Sequence, residues 1–321
     1  MKMIQKIHFI NRMHYGNTGD WICSPICWYY DYFKNYNVIR HNISSVDWHV
    51  IGKNDLVILG GGGLLYASVE WNRTIEKLVE KTAGVIAWSV GHNFQTNIKS
   101  LKKSSFAKID FTKMDIVGIR DYKHESGLTW LPCVTCKNPE LNKKSDIKRR
   151  IGIVEHHYYP IKIAKELHLE KINNSYTIEE ITDFIASSEV IITNAYHIIY
   201  FAQLMGKKVI CIDPFSDKYD YLKYKPLVIY GKLTEKKLEA ATSRLSSPPE
   251  GFFEEAIKLN DAFFEQVKKI VERKIIEPGN EYSHLYNTAF GGVGSMRREI
   301  ETLNKRTSVR GILTRVFKCF I

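Results

Sequence analysis

Short apolar runs rich in isoleucine and valine recur along the chain, at 3–10, 56–59, 85–90, 116–119, 151–154, 190–192, 209–212 and 227–230. Several are continuous rather than alternating, the pattern of strands buried on both faces of a parallel sheet. Helix-like stretches separate them at 21–34, 69–81, 178–187 and 196–205, and a long charged helix is expected over about 252–274. Gly206 stands where a helix C-cap belongs, directly before Lys207, Lys208 and the next strand. This alternation predicts an α/β fold of two doubly wound, Rossmann-like parallel-sheet domains facing a cleft. The polar, charged stretch 137–150, with Pro139 inside it, is the expected linker. An N-terminal domain over 1–137, a C-terminal domain over 148–275 and a tail over 276–321 follow from that division.

Ligand sites of such sheets lie at the C-terminal ends of the strands, so chemistry is sought there. After the first run, Gly16 and Gly19 permit tight backbone turns, and Asp20 either caps the next helix or reaches into the cleft. The second run ends in Gly60, Gly61, Gly62 and Gly63, a loop whose backbone N–H groups suit a phosphate or carboxylate. It lacks the Lys-Ser/Thr ending of a P-loop and the spacing of a dinucleotide fingerprint. Later run ends supply Gly91 and His92, Arg120 and Asp121, Glu155, His156 and His157, and the segment TNAYH at 193–197. Arg120 fits either a planar fork on an anion or an ion pair at a domain interface. Each histidine alone suits a structural role, but a proton donor for neutral pH comes from such a set. Cys133 and Cys136 form a lone CxxC. Zinc would need two further ligands, which Cys23 and Cys27 supply only if the fold brings them near.

Composition narrows the classes. With 321 residues, 44% hydrophobic and 25% charged, the chain is long enough for two packed domains and is no disordered or collagen-like sequence. No apolar run of about 18 residues predicts a membrane-crossing helix. The first ten residues are too polar for a signal-peptide core, so a cytoplasmic location with reduced cysteines is expected. The net charge is +11, and 296–321 carries seven cations against two anions, nearly half of the excess. There Val309, Ile312, Leu313, Val316, Phe317 and Phe320 fall at helical spacing among Arg306, Arg310, Arg315 and Lys318. Such a basic amphipathic helix lies on an anionic membrane or docks on a protein surface. Nucleic acid is not an expected partner, because no recognition motif accompanies the charge.

The segments GNTGD (16–20), DLVILGGGGLL (55–65), SVGH (89–92), GIRD (118–121) and VIITNAYHIIYFAQLMGKKVI (190–210) resemble, in order and spacing, the polysaccharide pyruvyl transferase family. DPFSDKYD (213–220) and KLNDAFFEQV (258–267) resemble its C-terminal part, so the likeness covers about 1–270. The resemblance implies a GT-B-like fold and transfer of the enolpyruvyl carbons of phosphoenolpyruvate onto two sugar hydroxyls, giving a cyclic ketal in cell-surface polysaccharide. It makes His197 the donor-site histidine and matches Asp20 and the glycine loop to the family's N-terminal signature. The chain departs from better-studied members at Ala195, where they carry arginine before the aromatic-histidine pair. For this donor, Arg120, Lys218 and Gly60 to Gly63 are the expected anion ligands, with Asn17, Thr193 and Asp121 completing the substrate-binding set. His197 is expected as donor-side acid or phosphate ligand and Asp20 as acceptor-side base, with His92 and His156 as alternatives. No metal or cofactor is required by this chemistry. The acceptor would be a saccharide or lipid-linked saccharide at the inner membrane face, where the basic tail meets anionic lipid. A nucleotide-sugar glycosyltransferase of the same fold and a non-catalytic, membrane-associated saccharide-binding protein are the competing readings.

Overall fold

The computed structural model describes residues 5–14, 16–98 and 102–274; the tail helix expected within 276–321 lies outside them. The chain opens with β1 (Ile7–Asn11), α1 (Thr18–Ile22), α2 (Tyr30–Phe33) and β2 (Val38–Asn42). It continues through β3 (Leu56–Gly60), α3 (Val69–Lys81), β4 (Gly84–Val90), β5 (Ile116–Ile119) and β6 (Thr129–Trp130). These strands form a six-stranded sheet in the order β2-β1-β3-β4-β5-β6, parallel at every pairing. The second half comprises β7 (Arg149–Glu155), β8 (Lys171–Asn173), α4 (Ile178–Ala186), β9 (Ser188–Thr193), α5 (Tyr196–Leu204), β10 (Lys208–Ile212), β11 (Leu227–Ile229), α6 (Glu235–Thr242) and α7 (Phe252–Arg273). Its five-stranded sheet runs β11-β10-β9-β7-β8, again all parallel. The class is α/β with two doubly wound parallel sheets.

Both faces of the first sheet are covered, which is why its strands read as unbroken apolar runs. Val57, Leu59, Val85 and Ala87 pack under Ile75 and Leu78 of α3. On the opposite face Leu56, Ile58, Ile86 and Trp88 meet Phe263, Val267, Ile270 and Val271 of α7. α7 therefore leaves the second sheet and closes the first. Asn260 fixes the crossing: its Oδ1 accepts from Trp88 Nε1 at 3.0 Å and its Nδ2 donates to the Pro132 carbonyl at 3.0 Å. In the second sheet, Ile191 and Val154 lie among the side chains of α4 and α5, while Ile153, Ile192 and Ile210 face Leu238 and Ala241 of α6.

The helix expected over 21–34 is broken into α1, a 3-10 turn at Pro25–Cys27 and α2. Pro25 brings no N–H to continue α1, and its ring occupies the space over Gly60 that a Cβ would need. At the end of α5, Gly206 takes a left-handed φ of +71° and donates to the Gln203 carbonyl at 3.1 Å, the cap its position suggests. β2, β6, β8 and α6 were not legible as apolar runs, being short or half polar.

The two units meet at their strand C-terminal ends. Gln95 and Ser216 form an antiparallel bridge, flanked by Thr96 N–H to Phe215 O at 3.2 Å and Asp217 N–H to Phe94 O at 2.9 Å. Asp217 Oδ1 also accepts from Phe94 N–H at 2.8 Å. A second join runs from Thr18 N–H to Asn174 O at 3.0 Å. Gln95, Phe215 and Asn174 all border the cavity between the units.

Candidate active site

The cavity has a volume of about 100 Å³ and draws its walls from both sheets. The β1–α1 connection contributes Arg12, Asn17 and Asp20. Asn17 is the N-cap of α1: its Oδ1 accepts from Asp20 N–H at 3.4 Å and its Nδ2 donates to Asp20 Oδ2 at 2.9 Å, which turns the carboxylate into the cleft. Arg12 Nε stands 3.7 Å from the same oxygen. Burial pushes the Asp20 carboxyl up, but the nearby positive charge, Arg12 foremost, outweighs it and holds the group below the usual carboxylate range.

His197 enters from the first turn of α5, with Nδ1 3.6 Å from Asp20 Oδ1 and Nε2 3.7 Å from Cys133 Sγ. Gly19 lies against the ring so closely that a Cβ there would overlap it. The glycine of the α1 turn is thus what lets the histidine from the other sheet reach Asp20. Burial drives His197 down to about 3, against the opposing pull of Asp20, so the imidazole is neutral at pH 7.

Arg120 and Lys218 supply positive charge, and neither forms an ion pair with a carboxylate among the described residues. Arg120 is 3% exposed, and its guanidinium carbon sits 3.8 Å above the Tyr196 ring. Its Nε has no hydrogen-bond partner among the described residues. Asp121, next in the chain, is engaged elsewhere: Oδ2 accepts from His92 Nδ1 at 2.6 Å and from His92 N–H at 2.8 Å. Lys218 is 9% exposed and lies against the rings of Phe215 at 4.4 Å and Tyr219 at 5.1 Å. Burial, reinforced by Arg120, lowers its ammonium to about 7. Two buried cations on one cavity are costly unless an anion joins them.

Among the residues singled out from sequence, the cavity gathers Asn17, Asp20, Gly63, Arg120, His156, His197 and Lys218. Gly60, Gly61 and Gly62 do not line it. Gly60 and Gly61 give room to Pro25 and to the Cys23 carbonyl, and the Gly61 N–H is committed to Trp88 O at 2.8 Å. Gly63 alone of the four faces the cavity, against Asn93 and the Arg120 guanidinium. His92 pairs with Asp121 and stacks on Tyr66 and His124, and Thr193 Oγ1 accepts from Ala195 N–H at 3.0 Å; none of these borders the cavity. His156 does: its Nδ1 accepts from Tyr158 N–H at 3.2 Å, which leaves Nε2 as the protonated nitrogen, and burial lowers it to about 3. Cys23, Cys133 and Cys136 are free, buried thiols, and among the described residues no group of His, Cys, Asp and Glu side chains suits a metal ion.

The model of the polysaccharide pyruvyl transferase family matches residues 7–216, nearly two thirds of the chain and all but one of the cavity's residues. The chain belongs to this family. Membership in the pyruvyl transferases makes it a transferase of polysaccharide biosynthesis with a saccharide as acceptor. No curated protein sequence matches it. Among solved structures, a functionally uncharacterised protein of Klebsiella pneumoniae is similar at 16% identity and a TM-score of 0.38, covering 72% of this chain and 93% of its own. A family 9 glycosyl transferase of Veillonella parvula aligns at 12% identity and a TM-score of 0.29, covering 83% and 99%.

Several cavity residues carry no mark of their own in the sequence of this family member that points to the site: Arg12, Asn93, Gln95, Tyr158, Tyr159, Asn174, Tyr196 and Phe215. Arg12 directly follows β1, and Tyr158 and Tyr159 directly follow the His156, His157 pair. The strand-end rule that found their neighbours reaches them as well. Asn174 follows β8, a strand too short and polar to read from sequence.

Proposed function

We propose that the chain moves the enolpyruvyl carbons of phosphoenolpyruvate onto two hydroxyls of a saccharide, forming a pyruvate ketal. The observation that carries this reading is the presence in one cavity of buried Arg120 and Lys218, neither with a carboxylate partner among the described residues, together with the Asp20–His197 pair. Phosphoenolpyruvate brings two anionic groups to one small site, which suits two such cations. Ala195 leaves no arginine before Tyr196 and His197, and Arg120, lying over Tyr196 from the other sheet, is the cation at that corner.

In the reaction, a proton adds to the methylene carbon C3 and C2 becomes cation-like. One sugar hydroxyl attacks C2 and loses its proton, the C2–O bond to phosphate breaks, and a second hydroxyl closes the ketal. Of the two hydroxyl protons, one balances the proton gained at C3 and the other leaves with hydrogen phosphate. In this reading Asp20, ionised and in the first turn of α1, receives the hydroxyl proton. Lys218, poised near neutrality, is the group able to give one, and neutral His197 offers the phosphate a hydrogen bond.

Thermal unfolding tests the donor. A ligand at about 100 times its Kd adds roughly 2.7 kcal/mol, a rise of a few degrees. Phosphoenolpyruvate is expected to give that rise, and nucleotides and nucleotide sugars are not. A rise with a nucleotide alone would replace this reading with glycosyl transfer. Among the described residues no helix is long and apolar enough to cross a membrane. We assign membrane contact to the basic tail instead: a chain ending at Gly294 should lose binding to anionic liposomes that the full chain retains.

A further inference from the structure

The cationic part of the cavity is one wall only. The other is aromatic and amide in character, and it is built in an unusual way for a protein surface. Tyr158 is 58% exposed and Tyr159 38% exposed, yet both are held in fixed positions at the rim. The turn that carries them is closed by Tyr159 N–H to His156 O at 2.9 Å, Tyr158 N–H to His156 Nδ1 at 3.2 Å and Asn194 Nδ2 to Tyr159 O at 2.7 Å. Tyr158 packs on the His157 ring at 3.8 Å, and its hydroxyl meets His14 Nε2 at 3.0 Å. Tyr159 lies on Phe215 at 4.5 Å. Adjacent exposed rings held rigid at a cavity rim are a surface prepared for a ligand, since immobilising them in advance removes that cost from binding.

Uncommitted amides face the same space. Asn93 Oδ1 is buried without a hydrogen-bond partner among the described residues. Asn174 uses Oδ1 to accept from His157, which leaves its Nδ2 for another group, and the Gln95 amide beside them has no protein partner among those residues. Neutral amides with both donor and acceptor capacity match hydroxyl groups better than they match a charge. Aromatic faces match the C–H face of a pyranose ring, because the negative face of the ring attracts the weakly positive hydrogens.

We propose that Tyr158 and Tyr159 form the platform of the acceptor-sugar subsite, with Asn93, Gln95 and Asn174 as hydroxyl ligands. The proposal rests on the pyruvyl transfer reading and adds to it where, and on what chemistry, the acceptor lies. Tyr158, Tyr159 and Asp20 line the same cavity, so a sugar stacked on the two rings would have a hydroxyl within the space that the carboxylate borders.

The test titrates methyl glycosides of galactose, glucose, mannose, N-acetylglucosamine and N-acetylmannosamine into the full chain by saturation-transfer NMR, with phosphoenolpyruvate affinity measured in parallel by calorimetry. At least one glycoside is expected to bind, and Tyr158→Ala or Tyr159→Ala should weaken it about three- to tenfold. Tyr158→Phe should keep it within about twofold, because the ring face remains. Phosphoenolpyruvate affinity should stay unchanged in all three variants. Glycoside binding insensitive to both alanine variants overturns the platform, as does the absence of any glycoside binding when phosphoenolpyruvate binds. A wild type that fails to bind phosphoenolpyruvate strikes the donor reading instead, and the glycoside arm still decides the platform.

Discussion

Gly19 shows how much of the site hangs on a missing side chain. A Cβ at this position would overlap the His197 ring, so Gly19→Ala must displace either α1 or the histidine. Overpacking of this kind costs about 1–3 kcal/mol of stability, and we expect turnover to fall at least tenfold with it. A melting curve and a ketal-forming assay on the same preparation check both. Lys218 gives a second expectation at this scale. Its ammonium is lowered to about 7 in the fold, whereas the unfolded chain keeps the ordinary value of 10.5. Between those limits the unfolded state binds more protons, so Lys218 makes the ligand-free fold more stable as pH rises from about 7 towards 10.5. An anion needs the ammonium form, so phosphoenolpyruvate affinity should fall over the same rise. Calorimetry at pH 6.5 and 8.5 should show that loss in the wild type and a flatter response in Lys218→Met.

At the scale of the elements, the helix α7 belongs by sequence to the second half and by packing to both. Phe263 is buried against Trp88 and the first sheet, so Phe263→Ala should cost about 3–5 kcal/mol, read from a denaturant midpoint. β3, β4, β9 and β10 could be placed from the sequence because both faces of each are covered, and an apolar run has one reading there. β8 could not, since three residues with one apolar side chain carry no period. The same contrast governs the site. Arg120 directly follows β5, and Asp20 and His197 stand in the first turns of helices that follow β1 and β9, beside glycines or aromatic residues that mark them. Arg12 is one cation among 46, and only the folded chain shows it 3.7 Å from Asp20. The glycine run at 60–63 was legible as a special turn, but whether it yields to a ligand or to Pro25 depends on a contact 35 residues distant, which no local pattern records.

Across the whole molecule, neutral buried histidines set the acid limit. Burial lowers His41, His156 and His197 to about 3 and His14 to about 4, while each would titrate near 6.5 in the unfolded chain. Below pH 6.5 the unfolded state takes up protons that the fold refuses, so stability falls as pH drops from there towards 3. Unfolding midpoints measured at pH 7, 6, 5 and 4 should decline progressively, and His41→Gln, outside the cavity lining, should shallow the decline.

Depth within the cavity also dictates traffic. Arg120 and Lys218 are almost wholly enclosed, whereas Tyr158 stands more than half in solvent. A ligand seated on the rim would stand between solvent and the inner wall, so the expected order is inner occupant first in and last out. With the donor and acceptor seated as proposed above, the expected timetable is donor on first and inorganic phosphate off last, with the modified glycan released between them.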